Sequence, residues 1–374
     1  MVTETLQKKS GFIASLVAPF LEFRITGLDI SDMSMKYLSF DRMKKNKLSI
    51  GVYGEIEYPA GIIINGEIKD EQKFIDVLKE WFIKEKKNLP SPFVAISLPE
   101  EKSFIRAVQI PHVKREDVAN AIRWEIENQI PLSLDQLIYD YEVIEPLQDS
   151  QDHLDVIITA FPRDILNAYV RAIKGAGLEL YAIELESQSI LRACLPQLHD
   201  AEAKMIVDIG RTHTSFIIFA GGATFYTSTI NMGGLIFEES IAKQINVSME
   251  RAKQIKIEIG LDKTQQNGDV FNALAPVVTM ISDELVRSIS YYHTHSSHAH
   301  GAAADIERVL ISGGDANLRG IDTYLRNILK IPVERADPFS IIQSRLAHTA
   351  PLTKREALAF TTVIGLALRE IRQN

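Results

Sequence analysis

Asp29 and Asp208 sit in segments that repeat one another. Residues 29–40, Asp-Ile-Ser-Asp-Met-Ser-Met-Lys-Tyr-Leu-Ser-Phe, lie over residues 208–219, Asp-Ile-Gly-Arg-Thr-His-Thr-Ser-Phe-Ile-Ile-Phe. Both read Asp-Ile, a six-residue stretch rich in polar or small residues, then aromatic, aliphatic, any residue, Phe. Two such turns facing each other across a cleft would hold a phosphate chain through backbone N–H groups, small side chains and hydroxyls. An aspartate at the start of each turn is a hard oxygen ligand for Mg²⁺ or its waters. The alternative is that each aspartate forms only an Asx-type turn.

Three further groups carry possible chemistry. Gly313-Gly314 follows the apolar run Val309–Ser312 and precedes a helical pattern, and glycines let a backbone approach a flat nucleoside closely. A tight βα turn uses the same residues. Glu250 and Lys253 stand three apart, hence on one helix face, placed to bond ribose hydroxyls and adenine edges or to form a surface ion pair. His293, His295, His298 and His300 fall within ten residues, either as imidazole ligands for zinc, copper or nickel or as an exposed polar loop.

The elements that must position these groups follow from periodicity. Ile25–Ile30, Met35–Phe40 and Leu48–Tyr58 read as a β-meander, Glu71–Lys86 as an amphipathic helix and Phe93–Leu98 as a strand. Helix Asp117–Gln129, strands Leu137–Ile144 and Leu154–Phe161, and helix Asp164–Ala176 follow, then Leu178–Ile183 and helix Leu185–Leu195. The meander returns at Met205–Ile230, trailed by helices Leu235–Ile245, Ser248–Ile259 and Asp269–His293, and by helices Leu318–Leu329 and Ala357–Ile371.

Composition bounds the function. The 374 residues suggest two or three domain-sized units, 46% hydrophobic and 24% charged. A net charge of −8 argues against a general affinity for nucleic acid, which needs a basic face. One cysteine, Cys194, excludes an intramolecular disulfide and a Cys-based zinc cluster, and suits a reducing compartment. No run reaches the about 18 apolar residues of a spanning helix. Phe12–Phe23 has helix spacing and reads as an amphipathic surface segment, or as one docked on its own domain or disordered.

The order of first turn, second turn, Glu-x-x-Lys helix and Gly-Gly turn resembles the actin-like ATPase superfamily. Ala121-Ile122-Arg123-Trp124-Glu125-Ile126-Glu127-Asn128-Gln129-Ile130-Pro131 followed by Tyr139-Asp140-Tyr141 resembles the inserted subdomain of the PilM family of type IV pilus assembly. Ala160-Phe161-Pro162-Arg163, Ala176-Gly177-Leu178 and the stretch from Ala359 to Arg369 agree.

The resemblance implies an α/β actin-like ATPase fold, two duplicated halves around a nucleotide cleft with an inserted α+β subdomain. The expected division is a segment 1–23, a first half 24–230 with the insertion at about 100–182, a second half 231–350, and a C-terminal helix 351–374 packing back on the first half. It implies ATP and Mg²⁺ as ligands, with at most weak hydrolysis. Asp29 and Asp208 would face the metal, Ser31 and Ser34 the first phosphate turn, and Gly210, Thr212 and Thr214 the second. Gly233 and Gly234 would approach the phosphates, Glu250 and Lys253 the ribose and adenine, and Gly313, Gly314 and Asn317 the nucleoside. Glu184, with Glu186 the second choice, would orient an attacking water, although a helix N-terminus also favours a merely solvated carboxylate there. The implied partners are the N-terminal peptide of a PilN-like inner-membrane protein, pilus motor ATPases and platform proteins. The implied place is the cytoplasmic face of the inner membrane, reached through those partners. Phe104, Ile105, Val108 and Ile110 with the Ile122–Ile130 helix are the expected peptide groove. An FtsA-like division protein and a small-molecule kinase share the fold class. Gln254 follows Lys253 where a basic residue is common in that family, and two residues of the first turn also depart from the pattern. Asp32 puts a carboxylate where phosphates would lie, a repulsion of roughly 1–4 kcal/mol at ~4 Å, with Arg211 as a partial offset. Met33 brings no hydroxyl.

Overall fold

The computed structural model describes residues 24–43, 47–111, 113–114, 117–143, 153–195, 203–296 and 305–372; Phe12–Phe23, His298 and His300 lie outside them. In the first half, β1 (Thr26–Ile30), β2 (Ser34–Met43) and β3 (Lys47–Glu57) form an antiparallel meander. A short ribbon, β4 (Ile63–Ile64) and β5 (Glu67–Ile68), leads into α1 (Glu71–Glu85). Asp70 caps α1 by accepting the Lys73 N–H at 3.1 Å, and Phe74, Leu78 and Trp81 form its buried stripe. The chain then returns as β6 (Phe93–Leu98), parallel to β1.

The insertion follows: β7 (Phe104–Pro111), α2 (Val118–Gln129), β8 (Leu137–Val143) and β9 (His153–Pro162). Its three strands pair antiparallel in the order β7-β9-β8. Val118, Ile122 and Ile126 of α2 close a separate core with Val108, Ile110, Leu137, Val156 and Ile158 of that sheet. Then α3 (Arg163–Gly175) leads to β10 (Glu179–Leu185), which completes the first sheet in the order β10-β6-β1-β2-β3, and α4 (Glu186–Cys194) follows.

The second half repeats the plan. Strands β11 (Lys204–Ile209), β12 (Thr214–Ala220) and β13 (Ala223–Ile230) form the meander, followed by α5 (Gly234–Ile245), α6 (Met249–Glu258) and α7 (Asp269–Ser296). Strand β14 (Val309–Ser312) adds in parallel to β11; α8 (Ile321–Leu329) and β15 (Val333–Arg335) complete the order β13-β12-β11-β14-β15. Every residue of β12 is buried, so this strand is covered on both faces.

Four expectations change. Sheet membership places Lys204–Ile230 in the second half, so the division expected at residue 230 falls before β11, because β11 pairs with β12 and β14. Strands β7 and β15 had no counterpart in the periodicity. In β7 the buried Ile105, Val108 and Ile110 break strict alternation, and β15 has three residues. The helix expected from Leu318 starts at Ile321, after a 3₁₀ turn at Gly314–Asn317. The helix expected over Ala357–Ile371 is three: α9 (Lys354–Ala359), α10 (Thr361–Ala367) and α11 (Arg369–Arg372). Phe360, at φ −106° and ψ 10°, leaves the helical region between the first two. Helix α10 packs on β1, β2 and α4; its Val363 and Ile364, with Leu368 just after it, join Leu38, Phe40 and Leu48 of the first sheet.

Candidate functional site

The two hairpin turns meet across a cleft of about 740 Å³. Asp29, Ser31, Ser34 and Lys36 line it from the first half, and Asp208, Gly210 and Thr212 from the second. Glu250 and Lys253 of α6 form another wall, with Gly313, Gly314 and Asn317 beside them. Most of the residues singled out in the sequence therefore converge.

The first turn is closed by its own hydrogen bonds. The Ser31 N–H and hydroxyl both donate to the Ser34 carbonyl at 2.9 Å, and the Ser34 hydroxyl donates to Glu55 Oε1 at 2.7 Å. Lys36 Nζ lies 3.4 Å from Glu55 Oε1. Burial pulls the Lys36 ammonium down, but Asp29 and Glu55 outweigh it and its pKa is raised. Burial raises Asp29, with Lys36 pulling it back. Lys36 was not among the expected site residues, although its place seven residues after Asp29 is set by the hairpin register.

Asp32 does not face the cleft. Its carboxylate accepts the backbone N–H groups of Asn65 at 2.8 Å and Gly66 at 2.9 Å, so its charge is spent on the β4–β5 turn. Asp32 is therefore turned onto that loop and is not among the residues that line the cleft. Arg211, the expected offset, is held by Glu238 at 3.2 and 3.3 Å. Met33 does line the cleft.

In the second turn, Asp208 Oδ1 is buried and, among the described residues, without a hydrogen-bond partner. Burial, reinforced by Asp29, pushes Asp208 up to about 6. An orphaned carboxyl oxygen beside a turn of backbone donors fits the needs of Mg²⁺ and phosphate. Gly313 is held to glycine by its own surroundings: at φ +87°, a Cβ there would lie 2.3 Å from the Ile209 carbonyl oxygen. The missing side chain is what lets the turn after β14 pack directly on the Ile209 backbone at the edge of the cleft. Asn317 donates to Gly314 O at 3.0 Å and Arg355 O at 2.9 Å, and its Oδ1 is a second enclosed acceptor without a partner among the described residues. Neither Glu250 nor Lys253 joins an ion pair among the described residues. The residues present fit a nucleotide with a divalent cation.

Four expected residues stand elsewhere. The Thr214 hydroxyl is buried and donates to Met232 O at 2.6 Å, anchoring the loop behind the turn. Gly233 and Gly234 support the second turn rather than line the cleft. The Gly234 N–H donates to Gly210 O at 3.0 Å, and a Cβ on Gly233 would lie 2.4 Å from that oxygen. Glu184 is buried outside the lining. It accepts from Arg192 at 2.5 and 2.8 Å, from Ser189 at 2.6 Å, and from Arg369. Both oxygens are engaged, so none is left to orient a water.

Glu186, the second choice, opens α4 and lines the cleft. Burial pushes it up to about 8. His213 Nε2 lies 3.9 Å from Glu186 Oε2; burial pulls the imidazole down, but Glu186 outweighs it and holds its proton up to about 10. Sequence reasoning also missed Lys256, buried 2.7 Å from Glu238 and 2.5 Å from Asp315. It ties α5, α6 and the Gly-Gly turn together. Its position three residues beyond Lys253 was the available signal.

The expected peptide groove is filled from within. Ile105, Val108, Ile110, Ile122, Ile126 and Ile130 are all buried in the protein's own cores. Trp124, on the outer face of α2, is 70% exposed. His295 stacks on Tyr291, and His293 Nδ1 lies 3.6 Å from Asp305. No helix among the described residues is long and apolar enough to cross a membrane.

A family model described as type IV pilus assembly protein PilM matches residues 27–371. A solved PilM-PilN type IV pilus biogenesis complex superposes with a TM-score of 0.75 at 20% identity, covering 94% of this chain and 99% of that one. MreB5 of Spiroplasma citri bound to ADP superposes with a TM-score of 0.57 at 14% identity, covering 94% and 97%. By sequence, the cell shape-determining protein Mbl of Bacillus cereus is 24% identical over 53% of this chain and 71% of its own length. MreB of Haemophilus influenzae is 28% identical over 50% of this chain and 62% of its own length. The fold is that of the actin-like ATPases.

Proposed function

The chain belongs to the family of type IV pilus assembly protein PilM, and on that premise we propose that it is a nucleotide-binding assembly protein of the pilus platform. It binds ATP with Mg²⁺ in the cleft and the N-terminal tail of a PilN-like inner-membrane protein on its surface, and nucleotide state tunes that second contact. The observation that carries the nucleotide reading is the buried Asp208 Oδ1, without a hydrogen-bond partner among the described residues, in a cleft that Asp29 and both hairpin turns line.

In this reading Asp208, and Asp29 through water, hold Mg²⁺, while Lys36 and the backbone N–H groups of the two turns hold the phosphates. Glu250 and Lys253 meet the ribose, and Gly313, Gly314 and Asn317 flank the base. When bound, Mg²⁺-ATP supplies a γ-phosphoryl group that water can accept. Glu186 is the carboxyl placed to orient that water; hydrolysis, where present, serves to reset the partner site. The protein works at the cytoplasmic face of the membrane, held there by its PilN-like partner and by contacts with platform proteins and motor ATPases.

Titration calorimetry with Mg²⁺-ATP, on the wild type and on Asp208→Ala, tests the first half of the reading. Micromolar binding that the variant loses supports it; no binding up to millimolar ATP by a folded wild type makes the protein a nucleotide-independent scaffold. A PilN-type N-terminal peptide, titrated with and without nucleotide, tests the second half. Equal affinity in both states removes the tuning, and no affinity removes the partner.

A further inference from the structure

We propose that Glu101, Glu186 and His213 form a site for a first-row divalent transition-metal ion, distinct from the oxygen-only pair Asp29 and Asp208. One ligand atom from each of the three lies within 4.8 Å of the others, and the His213–Glu186 separation is 3.9 Å. Around a tetrahedral ion with bonds of 2.0–2.2 Å, ligand atoms stand about 3.4 Å apart. Closing the triad on an ion therefore needs side-chain shifts of an ångström or so.

The surroundings favour this chemistry. His213 Nδ1 lies 3.1 Å from the Thr212 hydroxyl, which leaves Nε2 directed at the carboxyls, and an ion taking Nε2 displaces its proton to solvent. Ligating imidazoles are held in this way, one nitrogen on an outer partner and the other on the metal. Glu101 Oε2 is enclosed and, among the described residues, has no hydrogen-bond partner, an independent sign that an acceptor is aimed at something. The carboxyls of Asp29 and Asp208 lie close enough to act electrostatically on His213 and Glu186, so acidic groups outnumber the cations Lys36 and His213. Burying surplus acidic groups is costly, and a dication offsets that cost.

The ligands are also preset. Glu101 sits in the 3₁₀ turn Glu100–Lys102, whose neighbours are pinned on both sides. Glu100 accepts the Ser187 N–H at 3.0 Å, and Lys102 pairs with Glu67 at 2.6 Å. Glu186 is the first residue of α4, and His213 lies in the second hairpin turn. One imidazole with two carboxyls suits Mn²⁺, Fe²⁺, Co²⁺ or Zn²⁺; Mg²⁺ prefers oxygen alone. Glu101 belongs to the link between β6 and the insertion, whereas His213 belongs to the second half. A bound ion would therefore fasten the two halves beside the cleft that Glu186 and His213 line.

The test uses the full chain without nucleotide, so that it stands apart from the ATP reading. Co²⁺ is the probe, followed by visible absorption and calorimetry. The expected result is one Co²⁺ per chain, with affinity lowered at least about tenfold in Glu101→Gln and more in His213→Ala. Circular dichroism checks that each variant is folded, and Glu101→Gln decides if His213→Ala is not. His295→Ala should leave binding unchanged. Absence of stoichiometric Co²⁺ binding up to millimolar would mean that a protonated His213 pairs with the two carboxyls unaided, and would overturn the proposal. Binding that survives the triad variants but is lost in His295→Ala would overturn it equally, placing the ion among the other histidines.

Discussion

Asp29 and Asp208 stand at the same place in two equivalent hairpins, yet Lys36 faces the first across its hairpin and Ser215 faces the second. The first carboxyl has a cation opposite it in the register, while the second has opposite it a hydroxyl that is itself hydrogen-bonded to Thr229. The duplication is thus symmetric in backbone and asymmetric in charge. It leaves Asp208 as the freer metal ligand.

Asp208→Asn should therefore raise stability while weakening ligand binding. Removing a buried carboxylate whose Oδ1 lacks a hydrogen-bond partner among the described residues relieves about 1–3 kcal/mol, seen as a rise of a few degrees in melting temperature. Mg²⁺-ATP affinity should fall at least about tenfold, since one metal ligand is lost. Thermal melts and calorimetry on the same preparations check both signs, and a variant less stable than the wild type would contradict the geometry.

Glu184→Gln and Glu186→Gln should part company. The first leaves Arg192 and Arg369 without their shared counter-charge and should destabilise by about 3–5 kcal/mol. The second removes one carboxylate from beside His213, at a separation of 3.9 Å rather than a direct contact, so it should cost less stability than the first while abolishing whatever ATP hydrolysis the protein has. Denaturant melts paired with a phosphate-release assay separate the two.

Trp124→Ala should not unfold the protein, because that ring is 70% exposed. If α2 presents it to the PilN-like tail, binding of the peptide should weaken by about 2 kcal/mol or more, the usual loss for an interface tryptophan. An unchanged peptide affinity would move the docking surface off this helix.

Asp315 gives a pH signature. Burial raises its pKa and Lys256 only partly opposes this, so the folded state holds the Asp315 proton more tightly than the unfolded chain does. That contribution is present below the ordinary aspartate range and is lost as pH rises through the raised value. Asp315→Asn lacks it. The stability of the wild type relative to the variant should fall as pH increases from 4 upward, measured by urea denaturation at each pH.

The hairpins, Asp29 and Asp208 were legible because the signal is local and occurs twice. Glu184 and Glu186 were not separable in the same way. Which of the two faces the cleft depends on where β10 yields to α4, and on Arg369, which is 185 residues away and takes Glu184 for itself. Thr214, Gly233 and Gly234 have residue types suited to phosphate, but their contacts are with the protein's own backbone. The apolar residues of β7 and α2 looked like a groove because an apolar face reads alike whether a partner or a neighbouring element covers it. Asp32 carried a charge whose direction only the distant Asn65–Gly66 turn decides.

Helix α10 lies on β1 and β2, and Val363, Ile364 and Leu368 fill a core with Leu38, Phe40 and Leu48. More than 300 residues separate those partners in the chain. On the ribosome, the first sheet must wait with an apolar face uncovered until those 300 or more further residues have emerged. Such long-range closure slows folding and lengthens the window for misassociation. The first half is thus not an autonomous unit: it should be recovered intact only when its own final helix is supplied, either in the same chain or as a separate fragment.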